Sequence, residues 1–162
     1  MMTNHEQERL ENINNLMISE FSKTLEMFAL NKTEAQLFVT LFLNDEPMTL
    51  DDMKEVLGKS KTAMSTSIRT LLDYNLVEKV FIKGARKDLY QAKKDLYEKF
   101  MKTYVNRWLE ALDRQVHSLE SIEKELKKLD TNGENISHKI HEAIKFHQSL
   151  EEVFQQISKY DQ

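Results

Sequence analysis

The sequence has few residues that break helices and none that form sulfur cross-links. It contains no cysteine, one proline, three glycines and one tryptophan among 162 residues. The missing thiols exclude disulfides, thiolate metal sites and cysteine nucleophiles. No apolar run approaches the roughly 20 residues that span a bilayer, and residues 1–9 lack the apolar core of a signal peptide. We therefore expect a cytoplasmic protein with no membrane partner.

The few glycine and proline positions divide the first half of the chain into helices. Apolar residues recur at helical spacing before Pro47, which predicts two helices there. Thr49 and Ser60 each suit a helix N-cap, and Gly58 between them suits a tight turn. The helix that begins at Ser60 is expected to end near Asn75, which tolerates a left-handed backbone. Two short helices around a glycine turn make a helix-turn-helix.

A change of pattern after Leu76 predicts a β-hairpin. Residues 77–83 alternate as in a strand, and residues 89–92 have the composition of its partner strand. The intervening residues 83–87 are largely basic and form the tip. A basic hairpin directly after a helix-turn-helix is typical of a wing.

The second half of the chain predicts two long helices. Residues 95–129 contain no helix breaker and carry an apolar seam from Val105 to Leu129, like that of a coiled coil. Thr131-Asn132-Gly133 should end this helix, and Ile136 to Ile157 should form the last amphipathic helix. Because such helices cannot bury their apolar faces within one small chain, we expect a homodimer.

The expected fold is therefore mostly α: a winged helix-turn-helix domain with a short β-hairpin wing, flanked by long dimerisation helices. The predicted parts are an N-terminal dimerisation helix in residues 1–30 and the winged helix-turn-helix domain in residues 31–94. Residues 95–162 should supply the long helix and the C-terminal helix, for dimerisation and ligand sensing.

The charge of the chain is unevenly distributed. The formal net charge is −4, yet residues 59–94 hold nine basic against three acidic residues, a local charge of +6 that leaves −10 elsewhere. Phosphate attraction acts over about 8 Å at physiological salt, so the local surface matters more than the total. This segment is expected to bind double-stranded DNA.

Two groups of side chains are the candidate DNA readers. On the Ser60 helix, small polar and basic residues share one arc without a carboxylate, which suits the major groove. At the hairpin tip, an arginine beside a reading helix suits the minor groove. A solvated helix face and a tip charged only for solubility are the alternatives. The predicted contacts are Ser60, Lys61, Thr62, Ser65, Thr66, Arg69, Lys83, Arg86 and Lys87.

The order of these elements resembles the MarR superfamily, and Thr49 to Tyr90 resembles its GbsR-type branch. The matching features are a Leu-Gly turn, a Ser-Lys helix start, a spaced Ser and Arg, and a Gly-x-Arg-Lys wing. Gly84 departs from the broad superfamily, which often has Asp two residues before the wing arginine. The positions that match the branch are Leu57, Gly58, Ser60, Lys61, Ser65, Arg69, Gly84, Arg86 and Lys87.

This resemblance implies a repressor of osmoprotectant uptake or synthesis genes that binds a pseudo-palindromic operator and responds to choline or a related quaternary ammonium compound. Tyr97, Phe100, Tyr104 and Trp108 recur at helical spacing, and ring faces attract such cations. The ordinary alternative is that this stripe packs in a core. A response to a different small molecule is also open.

Other functional classes have less support. His138 and His141 lack a third matched ligand, and no phosphate loop or nucleophile motif occurs, so no catalytic site, metal or cofactor is expected. A winged-helix module that binds an acidic protein instead of DNA remains the main alternative to a regulator.

Overall fold

Side-chain caps determine where the first four helices begin. The computed structural model describes residues 1–129 and 133–160. Thr3, Asn31, Thr49 and Ser60 each accept a hydrogen bond from a backbone N–H of the first helical turn. The first three caps also form a capping box with an acidic residue three positions later. These local bonds satisfy backbone donors that a helix start otherwise leaves unpaired.

The elements agree with the predicted fold class, which is a mostly α winged helix-turn-helix. The chain forms two compact units, Met1–Phe100 and Met101–Gln162. Gly133 directly precedes the last helix, whereas Thr131 and Asn132 of the predicted break lie outside the described residues. The elements are α1 (Asn4–Glu26), α2 (Lys32–Leu43), α3 (Leu50–Leu57), α4 (Lys61–Asp73), β1 (Val77–Val80), β2 (Leu89–Ala92), α5 (Leu96–Lys127) and α6 (Glu134–Tyr160).

The helix-turn-helix consists of α3 and α4. Gly58 ends α3 in the left-handed conformation, with φ of 63°, and Ser60 caps α4 two residues later. Asn75 has φ of 60° and follows α4, so the predicted left-handed end of this helix is confirmed, as is the predicted turn at Gly58. The backbone can reverse here because glycine and asparagine tolerate positive φ.

The core of the first unit surrounds α2. Phe38 is 1% exposed, and its ring lies edge-on to Phe100 at 4.9 Å between centroids and stacks on Phe42 at 6.1 Å. Met53 from α3 and Met64 from α4 are fully buried in the same cluster. Burial of each such side chain contributes about 1.5–3 kcal/mol, so the apolar sides of α3 and α4 are held firmly.

The hairpin is shorter than the sequence predicted. Strand β1 pairs antiparallel with β2 from Val77↔Ala92 to Val80↔Leu89, and a bridge from Met48 to Tyr90 extends this pairing across β2. The expectation that the first strand continues through residue 83 is wrong. A two-stranded ladder is marginal in water unless a core supports it. Beyond Val80 this support ends, and residues 81–88, here called the wing loop, are all exposed.

The second unit contains the remainder of α5 together with α6. These helices run antiparallel, since Trp108 stacks on Phe154 while Glu123 lies 3.6 Å from His141. Val105 and Leu112 are buried in the predicted seam of α5, as is Ile140 in α6. The other residues of the predicted seam are half-buried or exposed: Leu109, Val116, Leu119, Ile122 and Leu126 within α5, and Leu129 beyond its end.

Helix α1 has an apolar stripe that changes from buried to exposed along its length. Leu25 is buried, and Phe21 packs edge-on to Phe42 at 6.1 Å. Leu10, Ile13 and Leu16 are between 50% and 57% exposed. The N-terminal half of α1 thus presents apolar surface that the described residues leave exposed. Within the described residues, no helix is both long enough and apolar enough to cross a membrane.

Candidate DNA-binding surface

The outer side of α4 presents the polar residues predicted to read DNA. Its inner side is anchored in the core by Met64, Ile68 and Leu71. Among the described residues, none forms an ion pair with Arg69, so its guanidinium keeps all its donors. The outer side consists of Lys61, Thr62, Thr66 and Arg69, which are exposed, and Ser65, which is half-buried.

Local hydrogen bonds determine whether the hydroxyl groups at the start and in the middle of α4 can donate a hydrogen bond to DNA or accept one from it. The Ser60 hydroxyl accepts the Ala63 N–H at 3.1 Å, so its proton is left to donate, for instance to a phosphate. The Thr66 hydroxyl donates to the Thr62 carbonyl at 3.0 Å and therefore acts toward a partner as an acceptor. An acceptor in the major groove suits the amino group of adenine or cytosine. The start of α4 thus favours phosphates, and its middle favours base edges.

The wing loop supplies the second group of predicted contacts. Gly84 has φ of 88°, and the Ala85 N–H donates to the Ile82 carbonyl at 3.1 Å, which closes the turn. Arg86 is exposed and forms no ion pair with any residue of the described ranges. Lys83 and Lys87 are exposed as well. The tip therefore exposes one arginine and two lysines, of which Lys87 also contacts a carboxylate of α3.

A carboxylate that the sequence analysis missed lies between the two groups. Asp51, on α3, is 3.2 Å from the Lys61 amine and 2.5 Å from the Lys87 amine. The hydrogen bond from Lys87, followed by that from Lys61, lowers the pKa of the Asp51 carboxyl. The same bond with Asp51 raises the pKa of Lys87. One carboxylate thus links α3, the start of α4 and the wing loop.

A sequence signal for Asp51 was present. Two aspartates follow Thr49, and only the second, Asp52, is explained by the capping box. Because Asp51 lies before the basic segment of residues 59–94, the count of local charge omitted it. A cleft of about 290 Å³ beside it is lined by residues of α3, α4 and the wing loop, among them Arg86 and Asp88.

Three other lysines of the basic segment are bound to residues of the first unit and are therefore less available to DNA. Lys79 pairs with Asp88 at 3.0 Å across the hairpin, which raises the pKa of Lys79. Lys93 donates to the side-chain oxygen of Asn75. Lys94 donates to the Phe42 carbonyl at 2.6 Å and lies over the ring of that residue. These three lysines thus support the fold of the first unit, which the local charge of +6 did not anticipate.

The structure separates the aromatic residues of the predicted ligand stripe. In the first unit, Tyr97 is 70% exposed, whereas Phe100 is buried against Phe38 and, at 5.7 Å between centroids, Phe28. In the second unit, Tyr104 and Trp108 meet edge-on at 6.4 Å. Phe154 of α6, which the sequence analysis did not include, stacks on Trp108 at 4.8 Å with an interplanar angle of 12°.

Tyr104, Trp108 and Phe154 form the aromatic cluster of the second unit, since the Tyr104 and Phe154 centroids also lie 6.3 Å apart. Trp108 remains 36% exposed, so one side of the cluster is open to solvent. Helical spacing revealed the two residues of α5 but gave no indication of which α6 residue faces them. Among the described residues, no group of three or more histidine and carboxylate side chains is placed to hold a metal ion.

Comparisons with known proteins place this architecture among bacterial regulators. No protein-family profile matches the chain. OpcR of Bacillus subtilis, an HTH-type transcriptional repressor, is 31% identical over 120 residues, which are 74% of this chain and 65% of OpcR. The repressor GbsR of the same organism is 31% identical over 151 residues, which are 93% of this chain and 83% of GbsR. The chain thus spans slightly less than two thirds of the length of OpcR.

A crystal structure of a transcriptional regulator has the same fold. It superposes with a TM-score of 0.65 over 91% of this chain and 97% of the other, at 15% sequence identity. The helix pair, the hairpin and the flanking helices define a winged helix-turn-helix protein.

Given its similarity to GbsR, the chain belongs to the GbsR family of HTH-type transcriptional repressors. The predicted GbsR-type membership is confirmed, and these relatives are transcriptional regulators, in keeping with the expectation of a protein that is not an enzyme.

Proposed function

We propose that the chain binds operator DNA as a cytoplasmic transcriptional repressor. The observation that carries this proposal is the pair of arginines, Arg69 on α4 and Arg86 on the wing loop, which are exposed and without an ion pair among the described residues. Guanidinium groups can form two parallel hydrogen bonds with a guanine edge or a phosphate. In a family of HTH-type repressors, free arginines on both reading elements favour DNA as the partner.

The two elements are proposed to contact different grooves. The outer side of α4 carries small hydroxyl residues that let a helix approach base edges closely, so we assign it to the major groove. The wing loop is narrow and tipped by Arg86, which suits the negative potential of the minor groove. Lys61, Lys83 and Lys87 would add sequence-independent attraction to phosphates.

We further propose that the protein acts as a homodimer. The support is the exposed apolar stripe of α1, where Leu10, Ile13 and Leu16 stay at least half exposed in a single chain. A contiguous apolar stripe on a surface helix marks an interaction face. Two copies related by a two-fold axis would bind two half-sites of a pseudo-palindromic operator.

Salt dependence of DNA affinity tests the DNA-binding proposal directly. A duplex selected by the purified chain from random-sequence DNA is compared with a scrambled duplex by fluorescence anisotropy, from about 50 to about 200 mM salt. We expect log affinity to fall linearly with log salt, by about 0.9 per phosphate neutralised, and the selected duplex to bind more tightly throughout. Failure to enrich any sequence, or affinity independent of salt, would overturn the proposal and favour the module that binds an acidic protein.

For the effector, we propose choline or a related quaternary ammonium compound, with osmoprotectant uptake or synthesis genes as targets. The support is the aromatic cluster of Tyr104, Trp108 and Phe154, because each ring face contributes up to about 2 kcal/mol toward a desolvated cation. Trp108 and Phe154 stack directly on each other, so a cation between them requires the rings to separate. The proposal therefore includes a local rearrangement upon binding.

The only tryptophan of the chain provides the assay for this effector. Choline is titrated while Trp108 fluorescence and affinity for the selected duplex are followed, with ethanolamine as the matched control because it lacks the three methyl groups. We expect choline to change both signals and ethanolamine to change neither. If choline changes neither signal, it is not the effector, and a different small molecule becomes the leading alternative.

A further inference from the structure

The Asp51 carboxylate joins three elements of the DNA-facing surface. It lies on α3, and its two oxygens separately contact Lys61 at the start of α4 and Lys87 on the wing loop, at 3.2 and 2.5 Å. Asp51 and Lys87 are 36 positions apart in sequence, so only the tertiary fold creates this contact. A negative group at this place is unexpected on a surface that is meant to attract phosphates.

An ion pair connects the wing loop to the helix-turn-helix. Strand β2 is tied to the domain near Tyr90 by its backbone bridge with Met48. The Lys79–Asp88 ion pair connects only residues of the hairpin itself. Within residues 1–129 and 133–160, the Lys87–Asp51 ion pair is the one that links the wing loop to the helix-turn-helix. Removing it would leave a fully exposed loop free to move relative to α4.

Asp51 also distinguishes among the cations of the surface, because it pairs with Lys61 and Lys87 but not with Lys83 or with the two arginines. Its single negative charge offsets one of the two positive charges of Lys61 and Lys87, which as flexible point charges attract any phosphate. It leaves Arg69 and Arg86 without an ion pair among the described residues, and arginines form the bidentate contacts that distinguish bases. To contact Lys61 and Lys87, the phosphates of a random duplex must displace the Asp51 carboxylate from these lysines or lie close to its negative charge. Both weaken binding. A matching duplex gains the arginine contacts in addition.

We infer that Asp51 is a specificity-determining positioning residue of the DNA-binding surface. It holds the wing loop in register with α4 and weakens sequence-independent attraction to phosphates. This inference rests on the proposed DNA-binding function. Its consequence is that loss of the Asp51 charge raises affinity for random DNA while it lowers the preference for the correct sequence.

The test compares Asp51→Asn with Glu55→Gln in the full chain. Glu55 is exposed on the same short helix and makes no ion pair with a described residue, so its replacement removes the same charge without releasing either lysine. Affinities for the selected and scrambled duplexes are measured by anisotropy across the salt series. Thermal unfolding serves as a control, because an exposed ion pair contributes little to stability and both variants should unfold near the wild-type temperature.

For Asp51→Asn we expect the scrambled duplex to bind about three- to tenfold more tightly at low salt, with a salt slope steeper by about one. The ratio of selected to scrambled affinity should fall about fivefold or more, because the loosened wing loop loses its register. For Glu55→Gln both affinities should change by the same factor. Asp51→Glu keeps the charge and should retain most of the wild-type ratio.

An unchanged affinity ratio in Asp51→Asn, or a change equal to that of Glu55→Gln, would overturn this inference while leaving the proposed function intact. If wild-type protein fails to bind DNA in a salt-dependent manner, the proposed function itself is wrong. Wild-type protein thus tests the proposed function, and the Asp51 and Glu55 variants test the role of Asp51.

Discussion

Replacement of Arg69 by alanine is the sharpest perturbation of the proposed reading helix. Arg69 is exposed, and its neighbours Ile68 and Leu71 hold α4 in the core without it. No ion pair with a described residue is lost by the substitution. Exposed substitutions away from special features usually change stability by less than about 0.5 kcal/mol. Any large effect on DNA affinity must therefore arise in the complex.

The size of the effect follows from the chemistry of the side chain. A bidentate contact between arginine and guanine is worth about 1–3 kcal/mol. Since about 1.4 kcal/mol corresponds to a tenfold change, one half-site should lose about 5- to 150-fold in affinity. A dimer that engages two half-sites would lose this factor twice, because well-separated positions are roughly additive. For the scrambled duplex only the charge is lost, so its salt slope should decrease by about one for each bound chain.

The assay is anisotropy with the selected and scrambled duplexes, and Arg114→Ala is the matched control. Arg114 is an exposed arginine of α5 in the second unit, so its removal changes the net charge equally. We expect Arg114→Ala to keep the wild-type preference for the selected duplex. If Arg69→Ala also keeps that preference, Arg69 does not read bases, and the assignment of α4 to the major groove fails.

Three further predictions concern the wing, the helix turn and the dimer. Arg86→Ala should weaken binding to duplexes with a narrow A·T-rich minor groove more than to G·C-rich ones, and equal losses on both would remove Arg86 from that groove. Gly58→Ala should lower the free energy of unfolding by about 1 kcal/mol, measured in urea, because φ is 63° although the site has open space for a methyl group. A loss above about 3 kcal/mol would contradict this account. Ile13→Glu should shift the protein toward monomer in sedimentation, since the side chain is 57% exposed on α1 of one chain; an unchanged oligomeric state would exclude this stripe from the interface.

The local structure of the reading domain followed from the sequence because its signals act over a few residues. The caps at Thr49 and Ser60 and the left-handed positions at Gly58 and Asn75 each depend on one side chain and the adjacent backbone. The same holds for the outer side of α4, because helical periodicity alone places Lys61 and Arg69 opposite the apolar residues. The prediction of the family rested on the resemblance of the motifs between Thr49 and Tyr90, together with the order of these elements.

Two features depended on contacts with other parts of the fold: where strand β1 ends, and which residues the aromatic side chains of α5 pack against. Nothing in the alternation of residues 77–83 reveals that the core support of the hairpin ends at Val80. Helical spacing likewise grouped Phe100 with Trp108, although the first packs with Phe38 and the second with Phe154. Periodicity in the sequence indicates which residues share one face of a helix. It does not indicate which residues of other elements pack against that face.

The clearest contrast lies in the charges of the DNA-facing surface. The sequence alone shows that residues 59–94 are basic and that the reading helix and wing carry arginine and lysine. Which of these cations are available depends on the fold, because it brings Asp51 between Lys61 and Lys87 and leaves Arg69 and Arg86 without an ion pair among the described residues. Coulomb attraction depends on distance in space, whereas a count along the chain records only distance in sequence.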